Sequence, residues 1–241
     1  ESVVNISTNR EMSMIYTPYY LCNVPYFGTE LCDVLIKNDA GTKEYGVSFQ
    51  LFEVEKYKPM GQVDSTINPS NYTFTHKDSE HYEEYKNFVY LNYLYVPNEV
   101  KAEMLRHAQE KGFLDLPKTE VIDEVKSYIK DSAKYSLETE KVPKGEDIST
   151  WLLNESDTGY CVHFATSLAM MLRSLEIPAR YVTGYCVYPN ANEITSVTSD
   201  EAHAWVEYFD DNIGWVPIDS TPPDFTSTDV IEGTDTEENP Q

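Results

Sequence analysis

Between Gly159 and Pro178 the chain holds a helical run whose apolar side chains leave it almost no polar face. Phe164, Leu168, Met171, Leu172 and Leu175 recur at helical spacing, and Ala165, Ala169 and Met170 widen the stripe around the axis. A helix apolar on most sides has to be enclosed, so the remaining elements must wrap around it. Its entrance, Gly159-Tyr160-Cys161-Val162-His163, sets one cysteine where loop becomes helix. Helix N-termini carry unpaired N–H groups and the positive end of the peptide dipole, which favour a thiolate over a thiol. The same N–H groups suit an oxyanion that develops on a substrate carbonyl. A buried, inert cysteine is the plain alternative, and the helix alone does not exclude it.

Downstream residues tip the balance. Two strands are expected near His203–Phe209 and Gly214–Asp219, joined by a tight loop at Asp210-Asp211-Asn212. That loop pairs Phe209 with Ile213, Glu207 with Trp215, Trp205 with Pro217 and His203 with Asp219. Directly opposed residues share a face, with Cβ atoms about 5 Å apart, close enough for a carboxylate to hold an imidazole N–H and fix its tautomer. Cys161, His203 and Asp219 are therefore the candidate nucleophile, base and orienter. His163 lies two residues from Cys161, about 200° around the helix, so the side chains diverge and His163 reads as a packing residue. Cys186 reads as a core thiol and His107 as an ordinary helix residue. Tyr160, Trp151 and Trp205 are candidates for lining the cleft or for an oxyanion contact.

The upstream chain has two grammars. Residues 1–95 read as a β-rich region: twelve of the 19 tyrosines lie there, with runs such as Val3-Val4-Asn5-Ile6 and Tyr45 to Val54 separated by turn residues. Cys22 and Cys32 suit either a hairpin disulfide or two free thiols, and His76 and His81 read as polar-loop residues, not metal ligands. From Val96-Pro97 onward the pattern is helical. Asn98 is expected to cap a helix carrying Val100, Met104, Leu105 and Ala108 that ends at Gly112. A second helix runs from about Thr119 to Tyr135 on Val121, Val125, Tyr128 and Ile129. Asp147 is expected to cap a short helix holding Trp151, residues 154–159 form a turn, and Pro178 stops the Cys161 helix. Residues 180–188 form a strand, and 226–241 form a polar, acidic tail or linker. The domains are thus 1–95, 96–225 and 226–241, and the class is α+β, helices against an antiparallel sheet.

With 41% hydrophobic and 13% aromatic residues the chain folds, and 18 basic against 41 acidic residues give a net charge of −23 that makes nucleic acid and anionic membranes poor partners. No apolar run is long enough to span a bilayer. A first residue of Glu1, not Met, reads as a segment excised from something longer.

Four blocks now stand together: Gly159 to Ala165, Arg173 to Tyr185, His203-Ala204-Trp205-Val206-Glu207, and Gly214 to Pro222. In residues 95–225 they resemble the transglutaminase-like superfamily, its bacterial membrane-associated members in particular. The resemblance implies a papain-like α+β core, with Cys161, His203 and Asp219 in the catalytic positions. Where that family has Asp-Pro-Thr-Pro, this chain has Asp219-Ser220-Thr221-Pro222. It implies thiol-dependent acyl transfer on protein or peptide substrates through a thioester, resolved by an amine (cross-linking) or by water (hydrolysis). Amine-bearing acceptors or cell-wall material are the expected partners. No cofactor or metal is expected, since no EF-hand loop is present. The location is extracytoplasmic, with membrane anchors outside this segment. The alternative from another class is a catalytically idle module that binds polypeptide or cell-wall material.

Overall fold

A computed structural model describes residues 2–7, 28–31, 34–37, 44–49 and 80–223, apart from 189, 191 and 213. The chain divides into two compact units, Glu1–Ile67 and Asn68–Gln241. In the first, β1 (Ser2–Ser7) pairs antiparallel with β4 (Glu44–Phe49), and β2 (Gly28–Leu31) with β3 (Val34–Lys37). Cys22, Cys32, His76 and the tail from 226 lie outside the described residues.

The second unit begins with a departure from the expected β-rich 1–95. Glu80–Asn92 is a helix, α1, and it carries His81. Its aromatics Tyr82, Tyr85 and Phe88 with Val89 recur every three or four residues, a helical period that tyrosine's strand preference obscures. Helix α1 docks on the hairpin that carries the later strands. The Tyr82 hydroxyl donates to the Asp211 carbonyl at 2.8 Å, Tyr90 donates to Asp211 Oδ1 at 2.9 Å, and Trp215 Nε1–H donates to the Tyr85 hydroxyl at 2.6 Å. Helix α1 accordingly belongs to the second unit.

Helix α2 (Asn98–Glu110) is capped at Pro97, so Asn98 is its first helical residue instead of its cap. A proline with fixed φ and no N–H serves a helix entrance without a side-chain bond. Gly112 follows at φ 75°, as expected of a terminating glycine. Helix α3 spans Lys118–Asp131, shorter than expected because Lys134–Tyr135 instead forms strand β5. His107 is buried between α2 and α3: the Tyr128 hydroxyl meets Nδ1 at 2.7 Å and Asn154 Oδ1 meets Nε2 at 3.1 Å. This network ties α2 and α3 to α4 (Ile148–Asn154).

Asp147 caps α4 as expected, Oδ1 accepting from the N–H groups of Ser149 at 2.9 Å and Thr150 at 3.2 Å. Replacing it with alanine leaves two helix donors unmatched. Asp147→Ala is expected to lower stability by about 1 kcal/mol, read as a fall in thermal midpoint with the fold retained. Within the expected 154–159 turn, Thr158–Gly159 is strand β6, parallel to β5 through Lys134↔Thr158 and Tyr135↔Gly159. This clamp fixes the backbone two residues before Cys161.

Helix α5 (Cys161–Ser174) is the enclosed element. Phe164, Leu168, Met171 and Leu172 are 0% exposed, with α2, α3 and α4 packed around one side and a three-stranded sheet on the other. The helix ends four residues before Pro178. Glu176 takes φ 59°, the Ile177 N–H donates to the Leu172 carbonyl at 3.0 Å and the Glu176 N–H to Arg173 at 3.1 Å. This left-handed C-terminal turn is the true stop.

Strands β7 (Ala179–Tyr185), β8 (Ala202–Asp210) and β9 (Gly214–Ile218) form one antiparallel sheet with β8 central. β7 ends before the expected 188, and this leaves Cys186 exposed on the following loop, its thiol 3.6 Å from the Tyr188 hydroxyl, and not in the core. The β8–β9 register also differs from expectation. Phe209 faces Trp215, Glu207 faces Pro217 and Val206 faces Ile218. The cause is Gly214 at φ 91°, a left-handed conformation that glycine adopts without strain and that closes the hairpin at the pair Asp210↔Gly214. The slip is two residues, an even number, so every side chain keeps its face.

Candidate active site

The thiol is placed by the entrance of α5. Tyr160 is the cap residue in extended backbone (φ −123°, ψ 178°), and Cys161 is the first helical residue. His163, at the third, turns back so that its Nδ1 accepts the Tyr160 N–H at 3.3 Å. That bond occupies its ring lone pair, and burial pushes the imidazole below its ordinary range, against a smaller upward pull from Tyr160. His163 is 3% exposed, with Trp151 at 5.7 Å and the Tyr160 ring edge-on at 4.4 Å. It braces the helix entrance and is not available as a base for Cys161. Trp151, 4% exposed, forms the wall behind it.

The imidazole that does reach the thiol is that of His203, at the start of β8. His203 Nε2 meets Asp219 Oδ2 at 2.6 Å, and the same ring hydrogen-bonds the Cys161 side chain, which leaves Nδ1 as the nitrogen facing sulfur. In the observed register Asp219 sits just past the end of β9, diagonal to His203. Two contacts hold it there. Its Oδ1 accepts the Thr221 N–H at 2.8 Å, a local turn closed by an aspartate two residues earlier, and Ser220, 1% exposed, donates its hydroxyl to the Phe164 carbonyl at 3.3 Å. Ser220 thus ties the carboxylate's segment to the first turn of α5.

The electrostatics follow from these contacts. Burial pushes the Cys161 thiol up, but the hydrogen bond from His203, the N–H of Ala204, the charge on His203 and the N–H of Val162 together bring it below its ordinary value. Ala204, opposite Thr183 of β7, lies beyond the last β8–β9 pair, and its N–H bonds the Cys161 side chain. The hydrogen bonds to Asp219 and Cys161, opposed by burial, raise His203 to about 10. Burial pushes the Asp219 carboxyl up, and the His203 and Thr221 hydrogen bonds more than reverse it. All three shifts act in one direction, favouring a thiolate, an imidazolium and a carboxylate in line.

Sequence reasoning named Cys161, His203 and Asp219, and these three side chains meet. It missed the Ala204 N–H, since backbone donors leave no residue signature, and Thr221, although Asp219-Ser220-Thr221 carries the aspartate-turn pattern. Of the cleft candidates, Tyr160 is half-buried at the helix entrance and Trp205 stacks on His203 with 19° between ring planes and centroids 6.0 Å apart. Tyr181 on β7 completes the surroundings: burial, then the charges of Cys161 and Tyr160, hold its phenol up.

A helix that presents a thiol to a histidine–carboxylate pair on an antiparallel sheet defines a papain-like class of core. Residues 108–220 match the family model of the transglutaminase-like superfamily. It is 37% identical over 119 residues to protein YebA of Bacillus subtilis (strain 168), covering 44% of this chain and 16% of that protein. It is 40% identical over 72 residues to a protein-glutamine γ-glutamyltransferase of Pseudomonas aeruginosa, covering 29% of this chain and 11% of that one. The matches therefore span less than a fifth of either relative. The fold is similar to that of the periplasmic domain of TgpA from Pseudomonas aeruginosa, with a TM-score of 0.56 at 15% identity, covering 91% of this chain and 72% of that domain.

Proposed function

We propose that this chain performs thiol-dependent acyl transfer on protein or peptide substrates. The observation that carries the reading is the single imidazole of His203 bonded to Asp219 on one side and to Cys161 on the other. The Cys161 thiolate attacks a carboxamide or peptide carbonyl. The electron pair of the C=O π bond moves to oxygen, then collapses to expel the nitrogen, which takes its proton from His203 as it leaves as ammonia or an amine. The product is a thioester on Cys161. An incoming amine, deprotonated by His203, gives a new amide, and water gives the acid. Similarity to a protein-glutamine γ-glutamyltransferase supports the amine route with glutamine as acyl donor. A module retained only for binding has no use for a carboxylate that orients an imidazole against a thiol, which argues against the idle alternative. No step needs a metal or cofactor. Similarity to a periplasmic domain supports an extracytoplasmic site of action, and we place the membrane anchors of the parent protein outside this segment.

The test is incorporation of a fluorescent primary amine into a glutamine-bearing protein, with hydrolysis of the same donor followed in parallel. Incorporation that depends on Cys161 supports the reading, and an absence of both reactions across a broad panel of donor proteins and peptides would refute it.

The rate of acyl transfer carries a further signature. In the free protein His203 keeps its proton well above the ordinary imidazole range, so kcat/KM is expected to hold across neutral pH, with its alkaline limb where pH rises through about 10. Beyond that point His203 no longer protonates the leaving group. The sign for stability is the same: a raised imidazole contributes stability that is fully present below its unfolded value of 6.5 and lost as pH rises through about 10. A kcat/KM profile whose alkaline limb lies near 7 contradicts this ion pair.

A further inference from the structure

Two residues of the β7–β8 ladder are fitted to each other beside the reacting groups. Gly184 lies directly opposite His203, and Trp205 lies opposite Val182, one step along the same face. A Cβ built on Gly184 would stand 2.8 Å from Trp205 Cη2 and 3.3 Å from Cζ3. The first distance is closer than side-chain carbons come, so the six-membered ring of the indole fills the space that any other residue's side chain would claim. The indole therefore rests on bare backbone, and from that seat it runs within 19° of the His203 ring plane.

The catalytic imidazole needs this support. The bond to Asp219 fixes one nitrogen but leaves the ring free to swing about that contact, and its side chain is 22% exposed. A parallel aromatic face removes that swing, and an indole face attracts a cationic ring. We propose that Gly184 and Trp205 are positioning residues for His203: the glycine provides the seat, and the seated indole holds the imidazole in the plane where one nitrogen meets Asp219 and the other meets Cys161. This rests on the acyl-transfer reading above, in which His203 is the base.

The experiment titrates the Cys161 thiolate by its ultraviolet absorbance, each variant measured against the same variant carrying Cys161→Ala, with thermal midpoints recorded alongside. In the wild-type chain the transition is expected below the ordinary thiol range. Gly184→Ala pushes the indole off its seat and is expected to weaken the ion-pair equilibrium by roughly three- to thirtyfold, moving the transition toward ordinary thiol values. Trp205→Ala, which leaves the β7 backbone untouched, produces the same movement and carries the test alone if Gly184→Ala does not fold. Adding Trp205→Phe to Gly184→Ala restores most of the wild-type transition, because a phenyl ring lacks the Cη2 and Cζ3 atoms that collide with the new methyl. Such rescue separates positioning from general loosening of the strand. Wild-type transitions in both Gly184→Ala and Trp205→Ala overturn the inference. A wild-type chain whose Cys161 titrates as an ordinary thiol overturns the acyl-transfer reading and this inference with it.

Discussion

Cys161→Ala is expected to abolish amine incorporation and donor hydrolysis together, by at least about a thousandfold. Both outcomes pass through the same thioester, and alanine removes the sulfur that His203 bonds. The loss is chemical and not structural. Cys161 is half-buried at the helix entrance and packs at the edge of a core whose fully buried side chains on this helix include Phe164, Leu168, Met171 and Leu172, so the fold is expected to be retained. Cys161→Ser should be nearly as inactive: the ion pair stabilises a thiolate, and a hydroxyl of far higher pKa is not deprotonated by the same imidazole. Cys186→Ala is the matched control. Its thiol is exposed and near Tyr188, and its removal should leave turnover unchanged.

Asp219→Asn is expected to cost roughly a hundred- to ten-thousandfold in kcat. In the wild-type chain Asp219 Oδ2 accepts from His203 Nε2 at 2.6 Å, which leaves Nδ1 to exchange a proton with sulfur. An asparagine presents an amide N–H or a neutral oxygen at that point, and the neutral oxygen stabilises an imidazolium less than a carboxylate does. Where the amide N–H faces Nε2, the imidazole proton moves to Nδ1 and the base is pointed the wrong way. The pH profile distinguishes this from a loosened fold. The alkaline limb should move down from about 10 toward ordinary imidazole values, and the acid limb should move up, because the thiol loses its cationic partner. A variant slowed only by poor folding would retain both limbs.

The enclosed helix and its cysteine were legible because both signals are local: apolar side chains at helical spacing, and a turn immediately ahead of them. The Asp147 cap was legible for the same reason. The His203–Asp219 pair was found through a hairpin register that is two residues out. The hairpin closes on Gly214 at φ 91°, whereas the apolar Ile213 invited its placement in the strand. The face was right because the error was even, and the remaining distance is bridged by the turn at Asp219, held by Thr221 and Ser220. A one-residue error would have turned the carboxylate to the opposite side of the sheet.

Helix α1 was missed because tyrosine's strand propensity outweighed the three- and four-residue spacing of Tyr82, Tyr85, Phe88 and Val89. Propensity is the weaker signal wherever a face is buried, as this one is against Trp215 and Phe209. Cys186 was misplaced because β7 stops at Tyr185, and nothing local marks that end. The Ala204 N–H and the bare backbone of Gly184 act through position alone, and no pattern of side chains announces either. Ser220, which stands where the resembled family has proline, is the reverse case: a visible departure whose hydroxyl anchors the carboxylate segment to α5, a contact no proline side chain makes.

The most direct test is the rate of iodoacetamide alkylation at Cys161 and Cys186 in the same native protein at pH 6, resolved by peptide mass spectrometry. Cys186 is more exposed and serves as the internal standard. A thiolate held by His203 predicts that the half-buried Cys161 reacts faster by more than about tenfold, with an advantage that shrinks as pH rises and Cys186 ionises. Equal rates at pH 6, or faster reaction at Cys186, would contradict an activated nucleophile at Cys161.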